Sequence, residues 1–270
     1  MENELTEDII YPKFNKSMIK THTILIPSML DIHMALFESV LKLAGYKVEI
    51  MKNQGPEVVE EGLKYVHNDT CYPALLVIGQ FIDNLNHRDD VDKVVLLITQ
   101  TGGGCRASNY IHLLRKALVK AGYGFVPVIS LNYKNLEKDS GFEFTIPTIL
   151  KVVSAVTYGD TLMYLYNKTR SYETKKGSAW ALTQSWIDKI SAQYKNGKGV
   201  SYRAIKKNVN DMARDFDALE LDLSIAKPKV GIVGEIYIKY ASLGNNHLEE
   251  FLVSEGAEVM VPGLYGFALY

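Results

Sequence analysis

The sequence predicts an α/β protein whose first half is a parallel sheet with helices on both faces. Short apolar runs rich in β-formers alternate with helical patterns through the first 140 residues. Strands joined through helices make parallel, right-handed crossovers. Beyond that point long helical patterns take over, and a strand signal returns near residue 230.

The elements follow in order. "HTILIPSM" (22–29) reads as a strand and "DIHMALFESVLKLAGY" (31–46) as a helix opened by Asp31 and closed near Gly45. "KVEIMK" is a second strand. "PEVVEEGLKYVHN" and "CYPALLVIGQFIDNL" read as consecutive helices, and "KVVLLITQ" (93–100) as the third strand. "CRASNYIHLLRKALVKAGY" (105–123) carries apolar residues at Ile111, Leu114, Leu118 and Ala121, a helical spacing. "FVPVISLN" (125–132) is the fourth strand. Helices are then expected over "PTILKVVSAVTYGDTLMYLYNKTRSYE", "SAWALTQSWIDKISAQYKNG" and "SYRAIKKNVNDMARDFDALELDLSI". "VGIVGEIYIKY" (230–240) reads as a strand, "NNHLEEFLVSEG" as a helix and "AEVMVPG" as a strand. The expected organisation is an α/β domain over 1–140, a helical bridge over 141–226, and the start of a second, incomplete α/β unit over 227–270.

Composition narrows the function classes. The 270 residues can bury a substantial core, 47% are apolar, and the formal net charge is −1, so nothing global points to nucleic acid. The apolar runs fall short of the roughly 20 residues a membrane span needs, and "MENELTEDII" lacks the design of a secretion signal. A cytoplasmic protein is expected. Two cysteines cannot staple a chain of this size, so Cys71 and Cys105 are read as thiols.

Both cysteines stand where chemistry concentrates. In "TQTGGGCRASNY" (99–110) a strand runs into Gly102, Gly103 and Gly104, then Cys105, then a helix. Ligands of open α/β sheets bind at these carboxyl ends. The glycines leave room for a bulky group, and the free N–H groups and dipole of the helix start, with Arg106, favour a thiolate. In "HNDTCYPALL" Asn68, Asp69 and Thr70 are cap candidates, Pro73 suits a first turn, and Cys71 stands at the helix start. Packing alone is the competing account of either cysteine.

Other motifs fit less well. "GGGCRAS" has neither the spacing nor the lysine of a phosphate-binding P-loop, and a dinucleotide fingerprint fails at its third glycine. A cysteine nucleophile would need a histidine base, and His22, His33, His67, His87, His112 and His247 are scattered. No H-E-x-x-H or paired C-x-x-C pattern suggests zinc. The six basic residues between Lys189 and Asn210, unrelieved by an acid, read as a solvated helical hairpin, with a phosphate-rich cofactor or partner protein as the alternative.

"NDTCYPALLVIGQ", "TQTGGGCRASNYIHLLRKAL", "GFVPVISLN" and "VGIVGEIYIKYASLGNNHLEEFLVSEGAE" together resemble the 2-hydroxyacyl-CoA dehydratase component superfamily, nearest its branch of activator-named and activase-related proteins. The resemblance implies flavodoxin-like domains and an iron–sulfur cluster, of 4Fe-4S or double-cubane type, held by Cys71 and Cys105. Gly102, Gly103 and Gly104 would make room for the sulfides, and Arg106 would offset cluster charge. It also implies electron delivery to an acyl-CoA substrate and an ATP-dependent activator domain or subunit as partner, since no ATPase motif stands in this chain. A homodimer is the expected assembly, with no nucleic-acid or membrane partner. Four ligands are usual for such clusters, so two thiols leave the set to be completed elsewhere. A non-redox binding or scaffold domain with packing cysteines is the alternative reading.

Overall fold

The computed structural model describes residues 11–67, 69–100, 110–132 and 145–269. The chain forms two units, each drawing on two stretches of sequence: residues 1–27 with 45–143, and 28–44 with 144–270. The short stretch 28–44 carries helix α1 (Asp31–Leu43), which follows strand β1 (Thr23–Ile26) along the chain yet belongs to the second unit.

The first unit is built on one sheet. Strands β1, β2 (Lys47–Ile50), β3 (Val94–Gln100) and β4 (Val128–Asn132) are all parallel in the order β2-β1-β3-β4, as in flavodoxin-like and Rossmann-like domains. Val94 to Ile98 are buried without alternation, the pattern of a parallel strand covered on both faces. Helices α2 (Pro56–Tyr65), α3 (Tyr72–Asn86) and α4 (Tyr110–Lys120) flank it. On α4 the buried residues Ile111, Leu114 and Leu118 form one stripe, as their spacing predicts.

Helix α3 lies deepest, with Leu76, Ile78, Phe81, Ile82 and Leu85 all fully buried. Its contact with α2 depends on two glycines. A β-carbon on Gly79 would strike the Val58 carbonyl, and one on Gly62 would meet the Leu75 carbonyl at 2.5 Å. Positions 58 and 79, and 62 and 75, pair in antiparallel register, so the helices touch backbone to backbone.

The second unit is mainly helical. Helices α5 (Ile146–Thr169), α6 (Ser178–Lys195) and α7 (Tyr202–Asp217) pack with α1 around Leu36, Val40, Tyr158, Leu162, Trp186, Ile190, Met212 and Phe216. Thr145 and Ser201 cap α5 and α7 by accepting from the amides of Thr148 and Ala204. A closed polar network crosses this core. Tyr158 donates to the Gly199 carbonyl at 2.7 Å, and Asn208 donates to Tyr158 Oη at 2.9 Å and to Gln193 Oε1 at 2.8 Å.

The same core takes in Val259 and Val261 from the region of β5 (Lys229–Gly231) and β6 (Glu258–Met260), which pair in parallel. Between these strands run α8 (Ile236–Tyr240), α9 (Ser242–Asn245) and α10 (Leu248–Ser254), and α11 (Leu264–Leu269) follows. The strand expected over 230–240 is therefore corrected. Pairing stops at Gly231, Gly234 adopts φ +149°, and Glu235 caps a helix by accepting from the Ile238 amide. Five residues of "IYIKY" satisfy either period, and the cap decides for helix. Among the described residues no helix is long and apolar enough to cross a membrane.

Candidate functional sites

In the first unit the strand order reverses between β1 and β3, the place where open α/β sheets bind ligands at their carboxyl edge. Helix α3 reaches that edge. Its 15 residues span about 22 Å at 1.5 Å each, close to the roughly 23 Å of the seven-residue β3. Since α3 leads into the amino end of β3, its start, and Cys71, lie at the carboxyl end.

Cys71 is itself the N-cap of α3, with φ −62° and ψ 145°. This corrects the expectation that Asp69 or Thr70 would cap the helix; Asn68 lies outside the described residues. Pro73 in the first turn needs no amide partner, and the Cys71 side chain makes no capping hydrogen bond to the helix. The thiol is free and half-buried. Its Sγ lies 3.6 Å from the hydroxyl of Tyr110, the first residue of α4, so the starts of α3 and α4 stand side by side. Among the described residues no histidine shares a hydrogen bond with Cys71. His112 is exposed on α4.

Cys105, Gly102, Gly103, Gly104 and Arg106 lie outside the described residues. The chain enters that segment at the end of β3 and leaves it at Tyr110, the residue that meets Cys71. Among the described residues no three His, Cys, Asp or Glu side chains gather as a metal-ligand set. The basic run lies on the surface of the α6–α7 hairpin: Lys189, Lys195, Lys198, Arg203, Lys206 and Lys207 are all exposed, Lys189 stacks on Trp186, and Lys207 pairs with Asp211.

A second cluster, in the helical unit, was not legible as a site in the sequence. His33 of α1 is fully buried and its Nε2 lies 2.9 Å from Asp160 Oδ1 on α5. Asp160 also accepts from the amides of Leu264 and Tyr265, at 2.6 and 2.9 Å, and so holds the start of α11. Burial pushes its carboxyl up, but the bond to His33 and the two amides outweigh this and hold it below the usual carboxylate range. Beside it opens a cavity of about 270 Å³, lined among others by His33, Asn167, Arg170, Trp180, Glu249 and Glu250. Arg170 donates to Glu249 at 2.9 Å and lies over the Tyr166 ring. Burial raises the Glu249 carboxyl, and Arg170 offsets that in part. The sequence signal for this cluster is Asp160, the single acid of helix α5.

No family model matches the chain, and neither the curated proteins nor the solved structures contain a match.

Proposed function

We propose that the α/β unit is an iron–sulfur electron-transfer module of a 2-hydroxyacyl-CoA dehydratase or related acyl-CoA reductase system, with Cys71 and Cys105 as thiolate ligands. The observation that carries this is the setting of Cys71: a half-buried free thiol at the N-cap of a helix, on the carboxyl edge, against the helix that the Gly-Gly-Gly-Cys-Arg segment leads into. A core thiol that merely packs is ordinarily sealed in apolar surroundings.

The setting fits a cluster ligand chemically. The amides at the start of α3 favour the thiolate that binds iron, and the Tyr110 hydroxyl is placed to donate to its sulfur. Hydrogen bonds to sulfur raise a cluster's potential and solvent exposure tunes it further. When bound, such a cluster supplies single low-potential electrons. This reading takes an ATP-dependent activator domain or subunit as the electron source and an acyl-CoA thioester as the acceptor, and the remaining ligands come from outside the two thiols.

The test is anaerobic purification and reconstitution of the chain, with iron, acid-labile sulfide and the visible spectrum read on one sample. Stoichiometric iron and sulfide with a charge-transfer band that bleaches on reduction are expected. A colourless, iron-free protein, alone and when mixed with an activator subunit, would leave a non-redox domain with packing cysteines as the account.

A further inference from the structure

Helix α5 is apolar on two sides. One side carries Ala155, Tyr158 and Leu162 into the core of the helical unit. The opposite side of its first half carries Ile146, Ile149, Leu150 and Val153, which are 75%, 46%, 48% and 48% exposed. Their spacing of i, i+3, i+4 and i+7 aligns them in one stripe about two turns long. A surface helix ordinarily turns polar residues to that side, so the stripe asks for a partner.

The polar groups at its border are already engaged. The Tyr265 hydroxyl donates to the Val153 carbonyl at 3.0 Å, and Thr157 Oγ1 donates to Tyr265 Oη at 3.2 Å. Tyr265 is itself 36% exposed and prolongs the stripe toward the second half of α5. Together the five side chains leave roughly 500 Å² of mostly apolar surface, within the range of the largest patch a monomer shows, which is often functional. Doubled across a two-fold axis, the patch supplies roughly 1,000 Å², the size at which a specific interface begins.

We infer that this stripe is a dimer interface, covered by the same stripe of a second copy of the chain in an antiparallel pair of α5 helices. No charged side chain stands in it, so apolar shape selects the partner, and the stripe offers that shape to itself. With the two-fold axis between Ile149 and Leu150, Ile146 meets the partner's Val153, and each such contact occurs twice, so the assembly closes at two copies. Alternating steps of three and four residues are those of a helix–helix seam. All the residues belong to the second unit, so the interface stands independently of the cluster reading.

The test is sedimentation equilibrium of the full chain, where an interface of this size should give a mass twice that of one chain by roughly 100 µM. Ile146→Glu and Val153→Lys should each weaken association at least about tenfold, because each buries an unpaired charge in the seam, with circular dichroism unchanged. Mixed in equal amounts, the two variants should dimerise again: the new acid of one chain then faces the new base of the other, and the remaining Val153 and Ile146 face each other. Should either variant fail to fold, Leu150→Asn at the centre of the pair should bring the same loss. A wild type that stays monomeric at roughly 100 µM would overturn the proposal and leave the stripe to a different protein. A dimer indifferent to both variants would overturn it by placing the interface elsewhere, and variants that do not recover on mixing would overturn the antiparallel pairing.

Discussion

Asn208 and Asn167 sit in the same helical unit and are equally buried, at 4% and 3% exposure, yet their surroundings differ. Asn208 exchanges hydrogen bonds with Gln193 and donates to Tyr158, which in turn donates to Gly199. Asn167 makes no hydrogen bond of full geometry and only leans its amide toward the Glu249 carboxylate. The first is a closed network that ties α5, α6 and the α6–α7 turn to α7. The second is an open set beside a cavity. The difference teaches that burial of a polar side chain does not reveal its role; the state of its partners does.

The largest effect is expected where the network is closed. Asn208→Ala strips partners from both Gln193 and Tyr158, and should cost about 2–3 kcal/mol in denaturant unfolding. A loss under about 0.5 kcal/mol would mean that water replaces the amide without penalty and that the two asparagines are equivalent.

Next comes Asp160, which joins the two kinds of behaviour: it is fully bonded, yet its partner His33 has an unpaired nitrogen. Its folded carboxyl is held below the usual value of about 3.9. It therefore contributes stability above that value, and the contribution is lost as pH falls through the folded value. Asp160→Asn should cost about 1.5–3 kcal/mol at neutral pH, and the two proteins should converge in acid. Parallel stability curves down to pH 2 would show that the carboxylate charge is not what holds the start of α11.

The smallest effect, and of opposite sign, is expected at the open set. Asn167→Leu should leave stability unchanged or raise it by up to about 1 kcal/mol. A loss as large as that of Asn208→Ala would erase the contrast between the two asparagines.

Much of the fold was legible because its signals are local and strong. The buried run of β3, the apolar stripe of α4 and the alternation of strand and helix are periodicities that burial imposes directly on sequence. The membership of α1 was not. Leu36 and Val40 would suit the face of a sheet as well as the bundle they join, and nothing local records which core receives them. The run at 230–240 misled because five residues fit both periods and a cap settled the outcome. Of the candidate sites, the Cys71 position followed from punctuation, a proline in the first turn after a polar cluster. The meeting of His33 with Asp160 spans 127 positions of chain, and no spacing rule reaches that far.

The central claim is that Cys71 and Cys105 hold an iron–sulfur cluster, and iron per chain in Cys71→Ala and Cys105→Ala, reconstituted anaerobically beside the wild type, tests it most directly. Because Cys71 is half-buried at a helix start rather than sealed in the core, its alanine variant should lose under about 1 kcal/mol of stability. The account predicts folded variants that each retain little or no iron or sulfide while the wild type is loaded. Wild-type iron content in both would contradict it.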